Sequence, residues 1–301
     1  MHAEIAWRIM LPKRQIDSLL STPPEERTRN KRMKKYKILA VSLAVAIFGS
    51  PALAAKCSNS GSGFNAFKKD FAKEAKAAGI GKRGLAALAS TKYSPGVIKF
   101  DRSINRKFKR AKANFPKFYK KKTRGLRGPT KSRLKRHAKL LRRIEGKYGV
   151  QKEVLVTIWG METGFGGYTG KHDIVTSLAS LTHDCRRSGF FKPNLMAALK
   201  IIDKGWISRA KMRGARHGEI GQTQFMAKNY VKFGVDYDGN GRRDLIRSVP
   251  DVLASTANYL RAYGWKAGGS YQPGTHNFRV LNEWNASSAY QQAIAKFAGS
   301  L

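Results

Sequence analysis

Acidic residues are scarce in this chain of 301 residues: 19 Asp and Glu stand against 59 Lys and Arg, which gives a formal net charge of +40. Such a charge is informative about partners and solubility but not about the fold. The composition is nevertheless 42% hydrophobic and 10% aromatic, which excludes an intrinsically disordered chain. The basic surplus is concentrated in residues 101–150, where Lys and Arg are opposed only by Asp101 and Glu145.

Long apolar runs are also lacking. One run, at residues 38–48, stands out, and it is too short to form a good membrane-spanning helix. Lysines precede it and a small-residue cleavage site follows it, so residues 33–54 are predicted to be a secretory signal. An uncleaved membrane anchor is the alternative. Residues 1–32 would then be an extension upstream of the true start at Met33, and residues 55–301 would be the exported, folded part.

Cysteine is nearly absent, and the two that occur are Cys57 and Cys185. Export to an oxidising compartment permits a disulfide, and an even pair favours one. Two unconnected thiols are the alternative. A lipid anchor on Cys57 is disfavoured because Lys56 stands where lipoprotein signals have a small residue.

The remaining pattern is mainly helical, with glycine-rich segments in between. Helices are predicted at residues 64–78, 85–89, 131–148, 251–263 and 283–298, and a loop is predicted at 123–130. No repeat of fixed period is visible.

The most informative helix spans residues 151–162. Val154, Ile158 and Glu162 recur at intervals of four, so a single carboxylate lies at the end of a buried stripe, just before Gly164 breaks the helix. Apolar surroundings would raise the pKa of this carboxyl group, as a general acid requires near neutral pH. A helix-end glutamate paired with a lysine is the alternative.

Residues 236–244 read Asp-Tyr-Asp-Gly-Asn-Gly-Arg-Arg-Asp. Oxygen-bearing side chains at positions 1, 3, 5 and 9, with glycine at position 6, follow the spacing of an EF-hand calcium loop. Position 12, where such loops have a bidentate glutamate, is Arg247, and Asp251 is the substitute. The predicted metal ligands are Asp236, Asp238, Asn240, Arg242 and Asp251. An ordinary Asp-Gly/Asn-Gly turn is the alternative.

Several motifs follow one another in the order of a single family. They are Gly160-Met161-Glu162-Thr163-Gly164-Phe165-Gly166, Cys185-Arg186-Arg187, Gly221-Gln222-Thr223-Gln224-Phe225-Met226, the loop at 236–244, Ala257-Asn258-Tyr259-Leu260 with Gly264-Trp265, and Trp284-Asn285 through Tyr290. In this combination the chain resembles the lytic murein transglycosylase B family from about Ser62 onward. Ala227 departs from the family, which usually has proline after Phe-Met, and the segment between Trp265 and Phe278 is shorter than in longer members.

The resemblance implies a mainly α fold, with a lysozyme-like helical catalytic core, flanking helices and an EF-hand-like loop. It implies that Glu162 is the catalytic acid and base, that no cofactor is required for the chemistry, and that the loop binds a structural calcium ion. It assigns to the sugar-binding groove Gln224, Tyr259, Asn285 and Tyr290, with Arg186 and Arg187 nearby. The expected reaction is non-hydrolytic cleavage of periplasmic peptidoglycan between N-acetylmuramic acid and N-acetylglucosamine, which leaves 1,6-anhydro ends.

Two other functions are compatible with the sequence. A hydrolytic muramidase would share the fold and Glu162 but would use water. A basic binding protein for nucleic acid or cell-wall polymer, with an inactive site, would use the basic segment at 101–147, where aromatic and basic residues are interleaved. Predicted export argues against nucleic acid. The expected role of Lys117, Lys120, Lys121 and Lys122 is to hold an enzyme at anionic envelope polymers or a membrane surface, with a simple solvated face as the alternative.

Overall fold

The computed structural model describes residues 55–301, apart from the side chains of residues 105–109. The predicted secretory signal at 33–54 and the extension at 1–32 lie outside the described residues. The helices are, in chain order, α1 Phe64–Ala77, α2 Lys82–Ala89, α3 Pro95–Ala113, α4 Phe115–Thr123, α5 Arg127–Arg136, α6 Ala138–Tyr148, α7 Lys152–Thr163, α8 Ile174–His183, α9 Ser188–Asp203, α10 Ala227–Phe233, α11 Val249–Ala262, α12 His276–Trp284 and α13 Ser288–Ala298.

Helix α7 lies in the centre of the hydrophobic core. Every residue from Val154 to Thr163 is buried, and the helix packs against α5, α6, α11 and α13. It ends at Gly164, whose positive φ of 61° suits glycine and whose N–H donates to the Gly160 carbonyl. A helix that is buried on all sides contacts other parts of the protein on every face. These contacts fix the position of its last residues.

A small antiparallel sheet lies beside the helices. Its four two-residue strands are β1 His172–Asp173, β2 Arg213–Gly214, β3 Glu219–Ile220 and β4 Phe225–Met226, in that order across the sheet. Ile220 pairs with both Gly214 and Phe225. The turn from β3 to β4 begins at Gly221, where φ is 76° and an added Cβ would lie 2.2 Å from the Leu245 carbonyl oxygen. The turn can therefore approach Leu245 only with glycine at this position.

The fold prediction is confirmed in its class, since the described chain is mostly helical, but two helix boundaries were wrong. Residues 131–148 are divided between α5 and α6 at His137, and α5 begins within the predicted loop because Pro129 lies in its first turn, where no N–H is needed. Residues 283–298 are divided at Asn285, whose backbone is extended and whose side chain accepts the Ser287 N–H.

The N-terminal end of the described chain is attached to the end of α8 and to the connection between α8 and α9. Cys57 and Cys185 form a disulfide across a sequence separation of 128 residues. Next to it, the Ser58 N–H donates to the His183 carbonyl at 2.8 Å. None of the described helices has the length and apolar character needed to cross a membrane.

Candidate active site

Glu162 occupies the last turn of α7, where only 1% of its surface is exposed. The indole Nε1 of Trp284 donates a hydrogen bond of 3.1 Å to the Glu162 Oε1 atom. Trp284 is itself held by edge-to-face contacts with the rings of Phe225 at 5.5 Å and Tyr259 at 5.2 Å. A buried carboxyl group that is fixed in orientation by one donor is suited to transferring a proton at a defined place.

Gln222 holds the end of α7 on both sides of Glu162 through hydrogen bonds. Its Oε1 atom accepts a 2.7 Å hydrogen bond from the Trp159 indole, and its backbone carbonyl accepts one of 2.5 Å from the Thr163 hydroxyl. Its Nε2 atom donates to the Ile246 carbonyl at 2.9 Å. The Gln222 side chain therefore links the end of α7 to the segment that follows residues 236–244, which we call the acidic loop. The sequence motif at residues 221–226 contains Gln222, but the resemblance assigns the binding role in this motif to Gln224.

The four predicted groove residues lie on three different parts of the chain. Gln224, in the β3–β4 turn, is buried with a φ of 55°, and its amide donates to the carbonyls of Thr169 and Gly221. The Tyr259 hydroxyl, on α11, donates to the Glu283 carbonyl at 2.6 Å. Both side chains are held in place by hydrogen bonds that they donate to backbone carbonyls.

The other two groove residues follow Trp284. Asn285 is buried, and its Nδ2 atom has no hydrogen-bond acceptor among the described residues. Tyr290, on α13, is fully buried, and its ring centroid lies 5.1 Å from the Lys122 Nζ atom. The Asn285 amide is therefore a buried donor without an acceptor among the described residues.

Lys122 is a site residue that the sequence did not identify. Whereas Lys117, Lys120 and Lys121 are exposed, Lys122 is half-buried. Burial lowers the pKa of Lys122 to about 8, the Glu162 carboxylate opposes that shift, and Lys121 adds to it. The prediction that Lys122 acts together with Lys117, Lys120 and Lys121 at one exposed surface was wrong. Successive side chains on a helix point about 100° apart, and this rotation turns Lys122 inward.

Arg186 and Arg187 converge on Asp101 of α3. Arg187 donates to one carboxylate oxygen at 2.9 Å, Arg186 contacts the other, and the buried His217 lies 3.1 Å from the first. Burial lowers the pKa of Arg187 to about 10, so it stays charged at neutral pH. Both arginines are thus tied to a buried carboxylate, which keeps their position fixed.

Three of the predicted metal ligands lie close together at the acidic loop. Carboxylate oxygens of Asp236, Asp238 and Asp251 lie within 4.8 Å of one another. Asp251 is buried, and burial raises its pKa, against backbone N–H donors that include Asp244. Asn240 accepts instead from the Arg242 N–H at 2.9 Å. A cluster of hard oxygen donors with one buried carboxylate fits a divalent cation such as calcium.

The chain matches the transglycosylase SLT domain over residues 63–273. It is 35% identical over 122 residues to the membrane-bound lytic murein transglycosylase B of Escherichia coli, and this match spans 40% of the chain and 34% of that relative's length.

Among solved structures, it is similar to SltB3 of Pseudomonas aeruginosa in complex with NAG-NAM-pentapeptide, at 30% identity and a TM-score of 0.70 over 79% of each chain. It also shares its fold with the Escherichia coli transglycosylase Slt35 in complex with calcium, at 21% identity and a TM-score of 0.67 over 77% of this chain and 91% of the other. The family model covers well over half of the chain. The chain therefore belongs to the transglycosylase SLT domain family.

Proposed function

We propose that this protein is a lytic transglycosylase that cleaves the β-1,4 bond between N-acetylmuramic acid and N-acetylglucosamine in peptidoglycan. The observation that carries the proposal is the buried carboxyl group of Glu162, which the Trp284 indole holds at the end of α7. The relative SltB3 was solved with NAG-NAM-pentapeptide and with NAG-anhNAM-pentapeptide, and these names describe such a substrate and such a product.

In the first step Glu162 donates its proton to the glycosidic oxygen, and the bond between this oxygen and the muramyl C1 breaks. Water is largely excluded from Glu162, and a buried carboxyl group is more stable in its neutral, proton-donating form. The 2-acetamido oxygen of the muramyl residue can stabilise the positive charge that develops at C1. The Asn285 amide is buried and has no acceptor among the described residues, which supports a role for it in donating to a sugar oxygen during this step.

In the second step the Glu162 carboxylate takes the proton of the muramyl C6 hydroxyl, and the C6 oxygen bonds to C1. The 1,6-anhydro ring is closed and Glu162 recovers its proton, so the step needs neither water nor a second carboxylate. Most glycosidases require two carboxyl groups because they must activate a water molecule or form a covalent ester. Trp284 holds the same Glu162 oxygen through both steps.

The product tests this proposal against the hydrolytic alternative. We expect purified sacculi treated with residues 55–301 to release muropeptides that lack a reducing end and are lighter by one water than hydrolytic products. Mass spectrometry before and after borohydride reduction measures this directly, because only a reducing sugar gains two hydrogens. Products that are reduced by borohydride would identify a muramidase, and an absence of soluble products would support the binding protein.

We further propose that the acidic loop binds calcium for stability. Support comes from the convergence of Asp236, Asp238 and Asp251. Asp251 is also buried, and the groups that shift its pKa are backbone N–H donors and the Asp238 carboxylate, with no cation among them. The family's chemistry needs no cofactor, and no step of the reaction passes through this loop.

Calcium is expected to raise the melting temperature by about 5 °C or more when its concentration is about 100 times the Kd, since a ligand that binds only the folded state stabilises it. Differential scanning calorimetry with calcium and with a chelator measures the shift. Asp238→Asn should reduce it, whereas Asp70→Asn, at a partly exposed position on α1 where the carboxylate pairs with Lys73, should leave it unchanged. Equal melting temperatures with calcium and chelator would mean that the loop is an ordinary turn.

We also propose that the protein is exported to the periplasm and that the exposed lysines of α4 hold it at anionic envelope polymers. The proposed contact surface consists of Lys117, Lys120 and Lys121, all of them solvent-exposed. Peptidoglycan peptides and outer-membrane phosphates carry negative charge, and attraction to them concentrates the enzyme at its substrate.

Replacing these three lysines with glutamine should weaken binding to sacculi several-fold and make the remaining binding less sensitive to salt, because exposed charges are screened within about 8–10 Å at physiological ionic strength. Cosedimentation at several salt concentrations measures both effects. The matched control replaces Lys69, Lys76 and Lys82, which are equally exposed but lie on α1 and α2. Equal losses in both triple variants would show that only net charge matters.

A further inference from the structure

Lys122 is held in place by two helices. Its own helix, α4, packs against α13, and its Nζ atom lies 5.1 Å from the centroid of the buried Tyr290 ring. Helix α13 packs in turn against α7, which carries Glu162. A cation over an aromatic face is attracted to it and loses freedom to turn outward. The Tyr290 ring therefore limits the movement of the ammonium group, and the Glu162 carboxylate is among the charges that act on it.

We propose that Lys122 is a positioning residue for Glu162: its ammonium group, held over the Tyr290 ring, stabilises the carboxylate that Glu162 becomes once it has donated its proton. This inference rests on the proposed function. Lys122 itself keeps its proton throughout, so the proton still moves only from Glu162 to the glycosidic oxygen and from the C6 hydroxyl back to Glu162. Glu162 acts as the acid in the first step and as the base in the second. A fixed cation stabilises the ionised form of Glu162 that exists between the two steps.

The charges around Lys122 support this assignment. Among the described residues, Glu162 of α7 raises its pKa and Lys121 of α4 lowers it, while burial has the largest effect and lowers the value to about 8. Tyr290 of α13 presents its ring. The other lysine between these helices, Lys296, lies over the Tyr119 ring at 4.9 Å instead and is exposed. Lys122 is thus a half-buried cation whose attractive charged neighbour is Glu162.

The direction of the effect follows from charge. A nearby cation favours the ionised form of a carboxyl group, so removing the cation raises the pKa of that group. We expect Lys122→Met, which keeps a long unbranched side chain but removes the charge, to raise the pKa of Glu162 by about one unit, a tenfold change in its acid dissociation constant. Lys122→Arg should retain most of the effect, because guanidinium is also a cation.

Two measurements test this. Carbon-13 NMR titration of labelled glutamate, with Glu162→Gln to assign the signal, reports the pKa of Glu162 whether or not the enzyme is active. The pH profile of turnover on short soluble glycans should show, in Lys122→Met, an alkaline limb displaced upward by the same amount and a kcat about tenfold lower at the optimum, with KM nearly unchanged.

The matched control is Lys296→Met, which removes a lysine from over a tyrosine ring between the same two helices but away from Glu162. It should leave the Glu162 titration unmoved. An unchanged Glu162 pKa in folded Lys122→Met, or the same displacement in Lys296→Met, would overturn the inference. A displaced titration in a protein that releases no anhydro products would instead contradict the proposed reaction and leave the electrostatic role standing.

Discussion

Glu162→Gln is expected to lower the release of 1,6-anhydromuropeptides by about a thousandfold, because a general acid typically contributes 10²–10⁴ to the rate and this one acts in both steps. Glutamine has nearly the same shape and can still accept the hydrogen bond from Trp284 through its amide oxygen. The fold and the binding of sacculi should therefore persist. Initial rates on purified sacculi, measured by chromatography and mass spectrometry, give the ratio.

The matched control for this substitution lies on the same helix. Glu153, in the first turn of α7, is half-buried and contacts Lys152 at 3.1 Å. Glu153→Gln removes the same charge from the same element and should retain nearly full activity. If Glu162→Gln kept substantial activity while melting normally, the acid would have to be another group and the mechanism above would be wrong.

Loss of the disulfide is expected to lower the free energy of unfolding by about 5 kcal/mol. In the chain-entropy account, a crosslink stabilises by restricting the unfolded chain, and the effect grows with the length of the closed loop. Here the two cysteines are 128 residues apart. Because both cysteines are exposed, replacing them with serine removes little packing, and the cost isolates the crosslink.

Denaturant unfolding of the Cys57→Ser/Cys185→Ser variant measures this cost, which corresponds to a melting temperature lower by about 10 °C or more. The wild type in reducing agent serves as the control and should unfold like the variant. Alkylation of non-reduced protein isolated from the periplasm adds an independent check. If both thiols reacted there, the bridge would not form in the exported protein.

The part of the site carried by one helix could be predicted from the sequence. The spacing of Val154, Ile158 and Glu162 predicts a buried stripe that ends in a carboxylate. These three residues are buried, although α7 is buried on all of its faces and not along one stripe. The partner of that carboxylate could not be found by the same means. Trp284 lies 122 residues further along the chain, and no periodicity connects residues that meet only after folding.

Lys122 illustrates a second limit. In a stretch of three consecutive lysines, the local pattern does not say which one turns inward, because each has the same propensity and the same charge. The packing of α4 on α13 selects Lys122. The division at Asn285 could not be predicted for a similar reason, since a short polar side chain that accepts a backbone N–H two residues further on ends a helix without glycine or proline.

The distance along the chain between Glu162 and Trp284 also has a consequence for timing. A chain is made from its N-terminus, so α7 exists well before α12, which brings the indole, and α13, which packs against α7. A nascent or prematurely ended chain can contain the acid with nothing to orient it. Under the proposed function, the acid is oriented for proton transfer only after α12 and α13 have been synthesised, well after α7 itself.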